Sequence, residues 1–277
     1  MSGLEGSGLG RKYVHGYSDR EKERLCDQAN TLAELLHSDT FYREDSLVLE
    51  VGCGVGAQTA ILARNNPGAR IVSIDLSRES LVKARRNLRA EGHENEAFMS
   101  ADVFDLPFES ESFDHVFVCF VLEHLSDPRR GLACLKRVLK EGGSVTVIEG
   151  DHGSAYFHPE SAEASKAIEC LIELQGMSGG NARIGRQLYP LLIDSIFVDV
   201  RVSPRMVYVD SSRPEWVEGF TRRTFTAMVE GVSEEVLRRG MMDEKEWKKG
   251  IEDLYRTAGP DGTFCYCFFK GTARRRG

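Results

Sequence analysis

The sequence predicts an α/β fold built on a doubly wound, mostly parallel sheet with helices on both faces. Three observations lead there. From Leu47 onward, short apolar runs alternate with segments of helical periodicity, the pattern of strand–helix–strand units. The first run ends in a glycine-rich turn, Gly52-Cys53-Gly54-Val55-Gly56, that opens directly into a helical segment. The 277 residues, 41% hydrophobic and 29% charged, are enough to bury a core of that size without disulfides or metals.

The elements follow in chain order. Residues 1–10 carry four glycines and read as flexible. Ser18 and Glu21 form a capping-box pattern, and Leu25, Ala29, Leu32, Ala33 and Leu36 follow at helical spacing, which predicts a helix before the sheet. Leu47–Val51 reads as the first strand, and Ala57–Arg64 as a helix stopped by Pro67-Gly68. Ile71–Ile74 reads as the second strand, closed by Asp75, and Ser77 can cap a helix running to about Ala90. Ala97–Ser100 and Phe113–Phe120 read as strands, Pro128–Leu139 as a helix ended by Gly142-Gly143, and Val145–Glu149 as a strand. Beyond Gly150 the expectations are a helix over Ser161–Gln175, a glycine-rich break over Met177–Asn181 and a short helix over Arg186–Ser195. A strand over Phe197–Val202, extended by Arg205–Val209, comes next. Charged helical sequence over 213–258 and an aromatic strand over Phe264–Phe269 complete the reading. The Arg274-Arg275-Arg276 tail reads as a solvated end.

Composition narrows the function classes. Acidic residues number 43 against 36 basic ones, a net charge of −7, which argues against wrapping nucleic acid by bulk electrostatics. No apolar run approaches the roughly 18 residues that a membrane span needs, and MSGLEGSGLG has no apolar signal core. The seven cysteines are scattered with no C-x-x-C, which points to reduced thiols and a cytoplasmic protein. Cys265 and Cys267 read as two small apolar side chains on one strand face, and no metal-ligand constellation is visible.

The chemistry concentrates around the glycine turn. Such a loop lets a ligand approach the backbone closely and aims helix N–H groups at polar or anionic atoms. With Asp75 at the end of the second strand, it fits a nucleotide-like cofactor of more than one kind, NAD included. Three further features separate the options: Glu50 two residues before Gly52; Asp102 with Leu106-Pro107-Phe108; and the ordered runs Phe113–Val118, Leu122-Glu123-His124-Leu125 and Leu135–Gly143.

This ordered set closely resembles the class I S-adenosylmethionine-dependent methyltransferases, and within them the small-molecule branch containing the ubiquinone and menaquinone biosynthesis enzymes. The resemblance spans residues 45–150 strongly and the last two strands loosely. It implies a Rossmann-like sheet of seven strands, the last antiparallel, with added helical lid segments at the N-terminus and in the C-terminal half. The implied layout is a flexible N-terminus and lid helix over 1–37, a cofactor-binding core over 38–150, and the rest of the sheet with substrate-covering helical insertions over 151–277.

The resemblance also implies roles. S-adenosylmethionine is the cofactor and S-adenosylhomocysteine the product. Gly52, Gly54 and the adjacent backbone, Cys53 included, line the methionine portion, Gln58 is a further cofactor-binding residue, and Glu50 organises the loop near the cofactor's amino group. Asp75 binds both ribose hydroxyls and Leu76 packs on the adenine. Asp102 accepts from the adenine amine with Val103 beside the ring, and Cys119 and Phe120 border the reactive methyl. The fourth strand ends Cys119-Phe120-Val121 and lacks the Asn or Asp followed by two prolines carried by amino methyltransferases acting on nucleic-acid bases, so such acceptors are disfavoured.

A general base is needed only where the acceptor loses a proton. Glu149, Asp151 and His152 follow the fifth strand, at the edge where open α/β sheets place ligands, with His158 as a second candidate and His124 read as structural. Tyr17, just before the first helix, is a further candidate for contact with cofactor or acceptor. The expected reaction is methyl transfer to a small organic acceptor. The alternatives are a protein or peptide acceptor and, from another class, an NAD-dependent oxidoreductase. The sequence leaves the oligomeric state open, a homodimer among the options.

Overall fold

The computed structural model describes residues 19–93 and 96–277, with side chains of the first helix described from Gln28 onward. Helix α1 (Asp19–His37) docks through Leu32 and Leu36, both buried. Strand β1 (Leu47–Val51) leads through the glycine turn into α2 (Ala57–Asn65). Strand β2 (Arg70–Asp75), α3 (Arg78–Ala90), β3 (Ala97–Ser100) and β4 (Phe113–Cys119) follow. As the capping pattern requires, Ser77 Oγ accepts the Ser80 N–H at the start of α3 at 3.1 Å. A short 3-10 turn (Leu122–His124) precedes α4 (Pro128–Val138), whose start is capped by Asp127.

The second half completes the same sheet. Strand β5 spans Leu139–His158, α5 Ala162–Met177, α6 Leu188–Asp194, β6 Phe197–Val209 and β7 Thr263–Arg275. Between β6 and β7 lie a π-helix (Val217–Thr226) and a final helix (Glu244–Arg256). The strand order is β3-β2-β1-β4-β5-β7-β6. The pairs β1–β2, β1–β4, β2–β3 and β4–β5 are parallel, and β7 runs antiparallel to both β5 and β6. The seven-stranded, mostly parallel sheet with one antiparallel strand is therefore as expected.

Three local expectations need correction. Helix α4 stops at Val138, and the next residue already pairs in the sheet, Leu139 opposite Phe113, so Gly142-Gly143 lies within β5 rather than ending the helix. Strand β5 is far longer than Val145–Glu149 because β7 keeps pairing with it, from Ser144 opposite Arg274 to His158 opposite Thr263, across a bulge between Asp151 and Tyr156. The arginine tail is not a free end through Arg275. Arg274 donates to the Gly142 carbonyl at 3.0 Å, and Arg275 bonds Glu111 Oε1 at 2.7 Å and the Leu139 carbonyl.

Two apolar cores pack the two faces. One joins α1, α5, the π-helix and the final helix to Phe264, Tyr266 and Phe268 of β7; the other joins α4 and α6 to the opposite face. Lys270 of β7 anchors α1 by donating to the Leu36 carbonyl at 3.1 Å, Asp39 Oδ1 at 2.5 Å and Thr40 Oγ1 at 2.6 Å. Among the described residues no helix is long and apolar enough to cross a membrane.

Candidate active site

The glycine turn is built at the carboxyl end of β1. Gly52, Gly54 and Gly56 have φ of +70°, +53° and +85°, a region that side chains other than glycine enter at a cost. The three are not equivalent. A Cβ on Gly52 would meet Val121 Cγ2 at 2.4 Å, and one on Gly56 would meet Leu88 Cδ1 at 2.8 Å. A Cβ on Gly54 would meet nothing within 4 Å among the described residues. Gly52 and Gly56 are required by packing, whereas Gly54 presents bare backbone to open space. Gly56 also starts α2 with no side-chain cap, so the first turn's N–H groups take no side-chain acceptor.

The acids hold distinct places around this turn. Glu50 is 2% exposed, and its Oε2 accepts the hydroxyls of Thr59 and Ser73, both at 2.6 Å. Burial pushes its carboxyl up to about 7, and the two hydroxyl donors oppose that rise. Glu50 thus ties β1, α2 and β2 together beneath the loop. Asp75 grips the loop itself: Oδ2 accepts the Gly54 N–H at 2.9 Å and Oδ1 the Ser77 N–H at 2.8 Å. Burial raises its carboxyl, and these two N–H groups pull it back.

Asp75 pairs with Ser100 in the sheet, so Asp102 lies on the neighbouring strand end. Asp102 Oδ1 accepts the Phe104 N–H at 2.9 Å, and Val103 is buried. Leu76, beside Asp75, is 61% exposed, an apolar side chain left on the surface next to the acids. Gln58 stands in the first turn of α2 with its Oε1 buried and without a hydrogen-bond partner. Cys53 donates its N–H to the Ile74 carbonyl at 3.0 Å. Cys119 is buried at the end of β4, and Phe120 follows in a left-handed conformation at φ +57°. Glu50, Gly52, Cys53, Gly54, Gln58, Asp75, Leu76, Asp102, Val103, Cys119 and Phe120 therefore all lie at the carboxyl ends of β1 to β4 or in the turn and helix that follow β1. Open backbone at Gly54, two acids at adjacent strand ends and an exposed Leu76 between them fit an adenosine-bearing cofactor.

The expected bases fare differently. Asp151 is buried and held bidentately by Arg186, at 2.6 and 2.8 Å, while Oδ1 also accepts the Gly153 N–H. The guanidinium ties Asp151 to the 178–187 segment. Glu149 likewise faces inward, with Oε1 accepting the N–H groups of Val121 and Leu122. His158 is exposed and stands apart. Tyr17 lies outside the described residues.

His152 is the candidate with a catalytic setting. It is 5% exposed, its Nδ1 meets Tyr266 Oη at 2.7 Å, and its Nε2 lies 4.0 Å from Glu123 Oε2. Glu123 Oε2 also accepts from Gln175 Nε2 at 3.0 Å. Burial keeps the Tyr266 phenol well above its ordinary ionisation range. Phe225 of the π-helix stands edge-on to the imidazole at 6.3 Å. Tyr266, Glu123, Gln175 and Arg186 were not among the expected site residues. The sole signal for Tyr266 is its alternation with Phe264 and Phe268, which reads equally as core.

Known proteins resemble the chain in sequence and in fold. A methyltransferase-domain family profile matches residues 49–147. An uncharacterized methyltransferase of Schizosaccharomyces pombe is 30% identical over 186 residues, covering 64% of this chain and 66% of that one. A demethylmenaquinone methyltransferase of Clavibacter sepedonicus is 40% identical over 102 residues, 37% of this chain and 40% of that one. The chain thus spans less than two thirds of the length of these relatives. The structure of phosphoethanolamine N-methyltransferase 2 from Haemonchus contortus in complex with S-adenosyl-L-methionine superposes with a TM-score of 0.56 at 16% identity, over 91% of this chain and 53% of that one. Residues 49–147 thus match a methyltransferase domain, and in sheet order and overall fold the chain is similar to solved methyltransferases.

Proposed function

We propose that the chain transfers the cofactor's methyl group to a small organic acceptor, and that His152 handles the acceptor's proton. The observation that carries this reading is enclosure. His152 is covered by the chain's own segments: Phe225 of the π-helix, Tyr266 of β7, and Ala182, whose carbonyl accepts the His152 N–H at 2.8 Å. Gln175 of α5 closes over Glu123 beside it. An enclosed position suits a small acceptor, whereas a protein or peptide needs an open groove. The similarity to demethylmenaquinone methyltransferases supports the same class of acceptor.

When bound, the cofactor supplies an activated methyl carbon on a sulfonium, and transfer is an in-line displacement. The chain's contribution is placement and proton handling. Asp75 and Asp102 would hold the ribose and adenine ends, with Leu76 and Val103 against the ring. Cys119 and Phe120 would border the methyl. Tyr266 holds the His152 ring by Nδ1, and Glu123 would stabilise the imidazolium formed when the acceptor gives up its proton. Methyl release measured against a panel of metabolites and peptides tests the reading. Turnover of small molecules is expected, and turnover of peptides alone would overturn it.

A further inference from the structure

The turn that follows β4 is an unusual piece of backbone. Phe120 occupies a left-handed conformation that a bulky residue keeps only when its surroundings hold it there. The next residue, Val121, lies flush against the glycine turn, so close that a Cβ on Gly52 would collide with its Cγ2. One side chain binds this turn from beneath. Glu149 Oε1 accepts the Val121 N–H at 3.0 Å and the Leu122 N–H at 2.7 Å, bridging 28 and 27 residues of sequence. Its other oxygen, Oε2, is buried as well. Glu149 itself has no solvent exposure.

We propose that Glu149 is a positioning residue for the cofactor site: its carboxyl oxygen fixes the Phe120–Leu122 turn against Gly52 and so sets the wall beside the reactive methyl. The proposal rests on the methyltransferase reading, because it assigns that wall to the cofactor. It gives Glu149 a different task from the general base expected from its place at the end of the strand read over Val145–Glu149. A base must reach the acceptor, and Glu149 faces the backbone instead. What the turn requires of it is an oxygen at one place, not a charge. Burial, and after it the neighbouring Glu123, hold the Glu149 carboxyl well above the usual carboxylate range, in keeping with a neutral group in this position.

The variants separate oxygen position from charge. Glu149→Gln keeps an oxygen at the same reach. Glu149→Asp keeps the carboxylate but draws it back by one methylene. Glu149→Ala removes the acceptor. Calorimetry with S-adenosylhomocysteine is expected to show Glu149→Gln within about threefold of wild type, and Glu149→Asp and Glu149→Ala weakened tenfold or more. In steady state the KM for S-adenosylmethionine should rise more than kcat falls. Wild-type affinity in Glu149→Asp, or a loss in Glu149→Gln as large as in Glu149→Asp, would overturn the proposal. If Glu149→Ala does not fold, the Gln and Asp variants decide it alone. Failure of the wild-type chain to bind S-adenosylhomocysteine would instead overturn the reading beneath it.

Discussion

Asp75 and Gly54 are joined by a hydrogen bond from the Gly54 N–H to Asp75 Oδ2 at 2.9 Å. The acid expected to receive the ribose therefore also shapes the loop proposed to receive the methionine end. Asp75→Ala should remove both effects. Charge-assisted hydrogen bonds contribute about 1.5–3 kcal/mol each, so affinity for S-adenosylhomocysteine should fall on the order of tenfold to a thousandfold with the sheet intact. Calorimetry beside a thermal melt checks this, and wild-type affinity would remove Asp75 from the site.

Gly54→Val tests the open space above the turn. A Cβ there meets no atom of the described residues, so the fold should survive. At φ +53° a β-branched residue should cost about 1–2 kcal/mol of stability. Cofactor binding should be lost, because the new methyls occupy the approach to the backbone. A folded Gly54→Val chain with normal affinity would make the loop a mere turn.

His152→Gln should leave S-adenosylhomocysteine binding near wild type while lowering kcat roughly a hundredfold to ten-thousandfold, the usual range for a lost acid–base group. Tyr266→Phe, which deprives Nδ1 of its partner at 2.7 Å, should show a smaller loss of the same kind. Unchanged kcat in His152→Gln, measured on an acceptor found in the methyl-release panel, would return His152 to a packing role.

Glu50 should leave a mark on stability against pH. Its folded carboxyl is pushed up to about 7 from an ordinary 4.5. A raised acid contributes stability that is fully present below the unfolded value and is lost as pH climbs through the folded one, here from about 4.5 to 7 and on the order of 3 kcal/mol at most. Glu50→Gln does not ionise, so it should gain on wild type over that window. Thermal melts at pH 5 and pH 8 measure the gain, and a constant difference would contradict it.

Deletion of residues 1–17 should leave a cooperatively folded protein, because Leu32, Leu36 and the Lys270 anchor that dock α1 all remain. If that segment closes over the bound ligands, turnover should fall while the melting temperature holds. Unchanged kcat and KM would remove the lid.

What was legible in the sequence was local. Asp75 ends its strand, and the glycine turn, Leu76 and Asp102 follow theirs by one or two residues, so a strand assignment gives their places in the fold at once. What was not legible depends on pairing across long stretches. His152 meets Tyr266 across 114 residues, and Asp151 meets Arg186 across 35. Nothing near Asp151 signals its guanidinium partner. The length of β5 was hidden for a related reason. Gly142-Gly143 read as a break and the pattern loosens after Gly150, but β7 pairs with the strand from Ser144 to Asp151 and again from Tyr156 to His158.

The placement of β7 between β5 and β6 has a consequence for how the molecule is made. Strand β6 has no neighbour in the sheet except β7, yet it leaves the ribosome more than fifty residues earlier. During synthesis β1 to β5 can assemble their parallel register, glycine turn included, while β6 waits without a backbone partner. The sheet closes only when β7 slots between two strands already made. The proposed cofactor end of the nascent chain can therefore take shape before the surroundings of His152, whose Tyr266 arrives with the closing strand.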